Sequence, residues 1–248
     1  LAEPIIGVTD IDGKGISGLE LVLDKELFDL GAKYAVLRDG KGIPAYIDRR
    51  YNAASDDKPG VQLTLDRRVQ SLVEEELASA QKQMNAKALH AIVMDPFTGE
   101  LIAMGQWTSV PDAYGINRNI SNLYEPGSIL KVIFAAEAIE SGILNPNSII
   151  DCGLGKITVN GQVLGEAESN HRYGLLPLEK VIRYSSNVGA VKVAQALGDS
   201  RMRATLDKYA LTSKTLVQLP GEAFSPMKPK DAWTPLLNAT VGFGQGIS

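Results

Sequence analysis

Cysteine occurs once in this 248-residue chain, at Cys152, so no internal disulfide can hold the fold. Asp151 and Gly153 flank it with no histidine at ligand spacing, which favours a structural thiol over a metal ligand. Histidine is almost as scarce: His90 opens an expected strand and His171 lies in a polar loop. Isolated in this way, both read as structural or surface residues. No run of basic residues occurs and the net charge is −4, so nothing suggests a nucleic-acid partner. No apolar run is long enough to span a bilayer and no signal peptide is recognisable. The first residue is Leu1, not methionine, as expected of a trimmed chain. At 44% hydrophobic and 22% charged residues the composition is that of an ordinary globular protein, with room for one large or two modest domains.

The first 60 residues are rich in glycine and short strand-like pieces such as 33–37, with a short helix expected over 19–30. The polar stretch 52–60 reads as a linker. Asp66 then caps a long helix with Val69, Leu72, Val73, Leu77, Ala80 and Met84 on one face. A hairpin of 88–94 and 100–105 follows around the turn 95–99, and both arms are apolar enough for a covered sheet. Residues 107–122 read as a loop, and 145–173 as small hairpins over a cleft. Glu166 and Glu168 fall in that second stretch and read as members of a solvated loop. Helices dominate from Leu178 to about Leu211, and Trp233 and Phe243 serve as packing anchors.

Chemistry concentrates at Ser128 and Lys131. Pro126 and Gly127 allow a sharp entry turn, Gly142 ends the segment, and the helix between is apolar on nearly every side. Residues three apart share a helix face, so hydroxyl and amine can meet. Burial lowers a lysine pKa and makes the neutral amine accessible as a proton acceptor. The positive end of the helix offers N–H groups to an oxyanion. Together these describe an activated serine nucleophile. The spacing by itself carries little, because Ser55/Lys58, Ser79/Lys82 and Ser225/Lys228 repeat it in polar or proline-rich settings. The bland alternative at Ser128 and Lys131 is a capping serine beside a snorkelling lysine.

A second piece is Ser185-Ser186-Asn187, at the junction of two helical patterns. One cap needs one such residue. The surplus hydroxyl and amide suit a proton relay and a substrate carbonyl contact.

With both pieces placed, the chain resembles the class B penicillin-binding proteins, the transpeptidases that cross-link peptidoglycan. Ser128 and Lys131 match the family's Ser-x-x-Lys motif, and Ser185 and Asn187 match its Ser-x-Asn motif. Residues 13–20, 63–70, 93–104 and 242–248 also resemble family text, so the likeness runs essentially end to end. Residues 7–13 are most similar to the septal, FtsI-type branch. The resemblance implies an α+β fold (an α/β sandwich of the transpeptidase and serine β-lactamase type), incomplete here. It also implies that residues 1–60 are the end of a β-rich, non-catalytic pedestal and 61–248 the first part of the transpeptidase domain. The family's third motif, Lys-Thr-Gly, does not occur in these residues; Lys214-Thr215-Leu216 lacks the glycine and precedes the landmark that should precede the motif. Without that strand the polypeptide is expected to be inactive alone.

The substrate implied is a peptidoglycan stem peptide ending in D-Ala-D-Ala. Ser128 attacks with Lys131 as base, Ser185 relays a proton, Asn187 orients lysine and substrate, and β-lactams stall the acyl-enzyme. No metal or organic cofactor is implied. Implied partners are a membrane glycosyltransferase and other division proteins. The family's inner-membrane anchor would lie upstream, with the catalytic domain outside the cytoplasm. Two rivals stay open. A serine β-lactamase would use a further base such as Glu222, and a β-lactam sensor or silent division scaffold would not turn over.

Overall fold

The computed structural model describes residues 1–30, 35–38, 44–48, 61–109 and 115–248. The expected linker at 52–60 and the pair Ser55/Lys58 lie outside the described residues. Two compact units emerge, Leu1–Ser121 with Val217–Glu222, and Asn122–Leu216 with Ala223–Ser248.

In the first unit, helices α1 (Glu3–Ile6), α2 (Gly18–Val22) and α3 (Asp24–Leu30) precede an antiparallel pair, β1 (Ala35–Arg38) and β2 (Pro44–Asp48). The single helix expected over 19–30 is thus two, separated at Leu23. Helix α4 (Arg67–Met84) begins as expected at Asp66, whose carboxylate accepts from the N–H groups of Arg68 and Val69 at 2.7 and 3.0 Å. Those two backbone donors hold the Asp66 carboxyl below the usual carboxylate range. Leu77 is buried, but Leu72 and Met84 are exposed, contrary to the six-residue apolar face expected.

Strands β3 (Ala88–Met94) and β4 (Leu101–Thr108) form the expected hairpin, with β4 extending through Trp107 instead of ending in a loop. Helix α5 (Arg118–Ser121) follows. The sheet is less covered than the apolar arms suggested. Strand β3 alternates between exposed and half-buried positions, and Ile92 and Met94 are about half exposed. Helix α4 packs on β4 through a residue that apolar periodicity misses. Gln70 is only 2% exposed, and its side-chain amide both accepts from Met104 N–H at 2.9 Å and donates to Met104 C=O at 3.0 Å. A glutamine here satisfies two backbone groups that the β4 edge would otherwise bury unpaired. Gln70→Leu keeps the volume and removes both bonds, so it should lower unfolding free energy by about 3 kcal/mol. A urea midpoint unchanged from wild type would refute this.

The second unit is built around α6 (Leu130–Glu140), which follows a tight 3-10 turn at Gly127–Ile129. Strand β5 (Ile149–Asp151) pairs with β8 (Leu175–Pro177), and β6 (Lys156–Val159) with β7 (Gln162–Gly165), giving the expected small hairpin. Helices α7 (Leu178–Arg183), α8 (Asn187–Lys208) and α9 (Pro235–Val241) complete it. Gly198, at φ 74° and ψ 163°, breaks α8; only glycine takes that backbone readily. Phe134, Leu178, Met202, Leu206 and Val241 form the dry core, with Trp233 donating its indole N–H to Asn238 at 3.0 Å. Trp233 and Phe243 are buried, as packing anchors should be. Helix α6 is not apolar-and-buried all round. Leu130, Phe134, Ala135 and Ala138 face the core, whereas Val132 and Ile139 are exposed, as is Ile129 in the preceding turn.

Candidate active site

Ser128 sits in the 3-10 turn ahead of α6, not in the α-helix proper, and is exposed. The glycine-rich segment near the C-terminus pins this turn. Gly127 N–H donates to Gly244 C=O at 2.9 Å, and Gly246 N–H donates to the Glu125 carboxylate at 2.7 Å. A Cβ on Gly244 would overlap the Gly127 carbonyl, and its φ of 84° also demands glycine.

Lys131, one turn on, is 3% exposed. Its ammonium donates three hydrogen bonds, to Ser185 C=O at 2.6 Å, Ser185 Oγ at 3.0 Å and Asn187 Oδ1 at 2.7 Å. Burial lowers its pKa from the usual 10.5 to about 8, with the negative charge of Glu166 pulling the other way. About one lysine in ten would then be neutral at pH 7, against fewer than one in a thousand for an ordinary lysine. The sequence expectation of a dehydrated amine holds. The expected meeting of hydroxyl and amine is not made: among the described residues Ser128 Oγ has no hydrogen-bond partner, because the lysine's three donors are taken by the second motif. Such contacts often tighten only when substrate arrives.

The junction at 184–187 explains why two serines and an asparagine occur together. Helix α7 ends in a Schellman turn, with Ser185 N–H bonded to Ile182 C=O and Ser186 N–H to Val181 C=O, both at 3.0 Å. Ser185 occupies the left-handed position normally given to glycine, at φ 54°. That conformation costs about 1–3 kcal/mol on a non-glycine residue and is retained where side-chain chemistry needs it. Ser186 is the cap of α8, accepting from Gly189 N–H at 2.9 Å. With the cap supplied by Ser186, Ser185 and Asn187 are left to hold the lysine.

Glu166 corrects the sequence reading. It is no solvated loop residue: one oxygen accepts from Ser186 Oγ and the other from Asn187 N–H, each at 2.6 Å. Asn187 Nδ2 also donates to Gly165 C=O at 3.1 Å. The signal available in the sequence was a carboxylate between a hairpin and a helix pair, which alone does not say which helix end it meets. Glu168, by contrast, is exposed and lies 3.1 Å from His171 Nε2, whose Nδ1 is 2.8 Å from the Tyr173 hydroxyl. Cys152 is fully buried and burial raises its thiol pKa, which suits a structural role. Lys214–Leu216 forms no strand, in line with its reading as a decoy. Glu222 belongs to the first unit, while Ser128, Lys131, Ser185 and Asn187 belong to the second.

An α+β fold with a Ser-x-x-Lys turn and a lysine-holding Ser-x-Asn junction carries both motifs on which the resemblance to the penicillin-binding proteins rests. The comparisons test that resemblance. Residues 89–248 match the family described as "Penicillin binding protein transpeptidase domain". Penicillin-binding protein PbpB of Mycolicibacterium smegmatis is 35% identical over 261 aligned positions, covering 100% of this chain and 39% of PbpB. Peptidoglycan D,D-transpeptidase FtsI of Escherichia coli is 31% identical, covering 98% of this chain and 42% of FtsI. The crystal structure of penicillin-binding protein 3 from Mycobacterium tuberculosis, in its apo form, superposes with a TM-score of 0.76 at 29% identity, over 100% of this chain and 53% of that one. The chain belongs to the penicillin-binding protein transpeptidase family, and within it to class B. It spans about two-fifths of the length of the curated relatives it matches.

Proposed function

We propose that this chain carries the nucleophile and the base of a serine D,D-transpeptidase that cross-links peptidoglycan stem peptides in division. The observation that carries this reading is the buried Lys131 amine, held by Ser185 and Asn187 and lowered to about 8, one turn from an exposed serine. In the proposed reaction Lys131 takes the Ser128 proton as Oγ bonds the penultimate carbonyl carbon of a D-Ala-D-Ala stem. The C–N bond then breaks, and the proton reaches the departing D-alanine amine by way of Ser185. An amine of a neighbouring stem releases the acyl group, or water does so in carboxypeptidase turnover. A β-lactam follows the first half: its ring C–N bond opens and the acyl-serine persists.

Relatives named PbpB, PenA and FtsI support a cell-wall role, and FtsI supports the septal branch. By the same analogy the protein is anchored in the inner membrane, acts outside the cytoplasm, and works with a glycosyltransferase and division proteins. Among the described residues no helix is long and apolar enough to cross a membrane. No observation favours the lactamase or scaffold readings.

The test is to incubate full-length protein with a fluorescent penicillin, digest it, and map the adduct by mass spectrometry. One adduct per chain on the peptide holding Ser128, with slow nitrocefin turnover, is expected. An adduct elsewhere would refute the assignment, and rapid nitrocefin turnover would make the protein a lactamase.

A further inference from the structure

Glu166 grips the start of α8 from the end of β7. Together with the Gly165 carbonyl it makes three hydrogen bonds to two successive residues, Ser186 and Asn187. Two of these are charge-assisted and short, at 2.6 Å. A carboxylate at this place is also favoured by the positive end of the helix. The grip is itself rigid. Glu166 N–H is bonded to Gly155 C=O at 3.1 Å, and the β6–β7 hairpin packs Val159, Ile157 and Leu164 against Val191 and Phe243. Asn187 stands between the two partners: its Oδ1 accepts from Lys131 while its backbone N–H and Nδ2 are bonded to Glu166 and Gly165.

We infer that Glu166 is a positioning residue of this site, holding the Ser186–Asn187 step so that Ser185 and Asn187 face the lysine. Its oxygens bond Ser186 and Asn187, and among the described residues it makes no hydrogen bond to Ser128. Both of its oxygens are engaged, so it is not a base for hydrolysing the acyl-enzyme. The inference rests on the transpeptidase reading above.

Its charge reaches the lysine as well. Among the described residues Glu166 is the ionised group that acts on Lys131. Glu137 and Glu140, on the lysine's own helix, pair with Arg201 and Lys208. Burial raises the Cys152 thiol and the Tyr173 phenol, so both stay neutral near pH 7. Removing the Glu166 charge therefore lets Lys131 lose its proton at lower pH.

The experiment follows acylation of full-length protein by a fluorescent penicillin from pH 5 to 10 in wild type, E166Q and E166D. Glu166→Gln loses the charge and one of the two acceptors. Its plateau rate should fall about tenfold or more, its acid limb should move to lower pH, and binding before acylation should be little changed. Glu166→Asp keeps the charge but shortens the reach, so its plateau should fall while the acid limb stays at the wild-type pH. Wild-type plateau and limb in E166Q would overturn the inference, and so would an unchanged plateau in E166D should E166Q not fold. Loss of fold in both variants would make Glu166 a general brace and overturn it too. An unlabelled wild type would instead overturn the transpeptidase reading, and the inference with it.

Discussion

Replacing Ser128 by alanine is expected to abolish covalent labelling by penicillin while leaving the fold intact. The two halves of that result have different causes. Covalent capture needs an oxygen that can bond the lactam carbonyl carbon, and alanine offers none. Stability should hardly change, because Ser128 is exposed, its hydroxyl makes no hydrogen bond among the described residues, and it lies in a turn pinned by Gly244 and Glu125. Exposed substitutions of this kind stay within about 0.5 kcal/mol. Intact-mass spectrometry after penicillin treatment, beside thermal unfolding of both proteins, checks the two halves. A persistent adduct in Ser128→Ala would mean that a different side chain is the nucleophile.

Lys131→Met carries the second large effect, on rate and on pH dependence together. A positioned base contributes about two to four orders of magnitude, so the acylation rate should fall by that much. In wild type the rate should climb as pH rises through about 8, where the lysine loses its proton, and that limb should vanish in the variant. Stability should show the same group with a definite sign. The lysine's folded pKa, about 8, lies below its usual 10.5, so between these values the unfolded chain binds more protons. Wild-type stability should therefore gain with rising pH across that window, by on the order of 3 kcal/mol from this residue. Lys131→Met cannot show that gain. It should also be less stable at high pH, where Ser185 C=O, Ser185 Oγ and Asn187 Oδ1 lose their donor. Urea unfolding of both proteins at pH 8 and pH 10 separates these terms. Parallel pH dependence in the two would show that the amine is not dehydrated.

Much of this site can be read along the chain because its parts are local. The Ser128–Lys131 turn, the Ser185–Asn187 junction and the Asp66 cap each depend on residues within a few positions. Chemistry and backbone preference at that range are properties of a short peptide. Readings that needed a partner from elsewhere fared worse. Gln70 looks like a solvent-facing helix residue until β4 is laid beside it, 34 positions on. Ile92 and Val132 look like core by hydropathy, and their exposure depends on what packs over them. Glu166 looks like loop because 20 residues separate it from Ser186.

Sequence alone determined the family and the turns that present the candidate groups, since helix capping and glycine stereochemistry act at short range. Only the tertiary structure decided which group holds which. It gave the lysine's three protons to Ser185 and Asn187 instead of Ser128, and set Glu166 against the start of α8. Hydrogen bonds form between neighbours in space, and in a hairpin-and-helix fold those neighbours are chosen by packing of the apolar core.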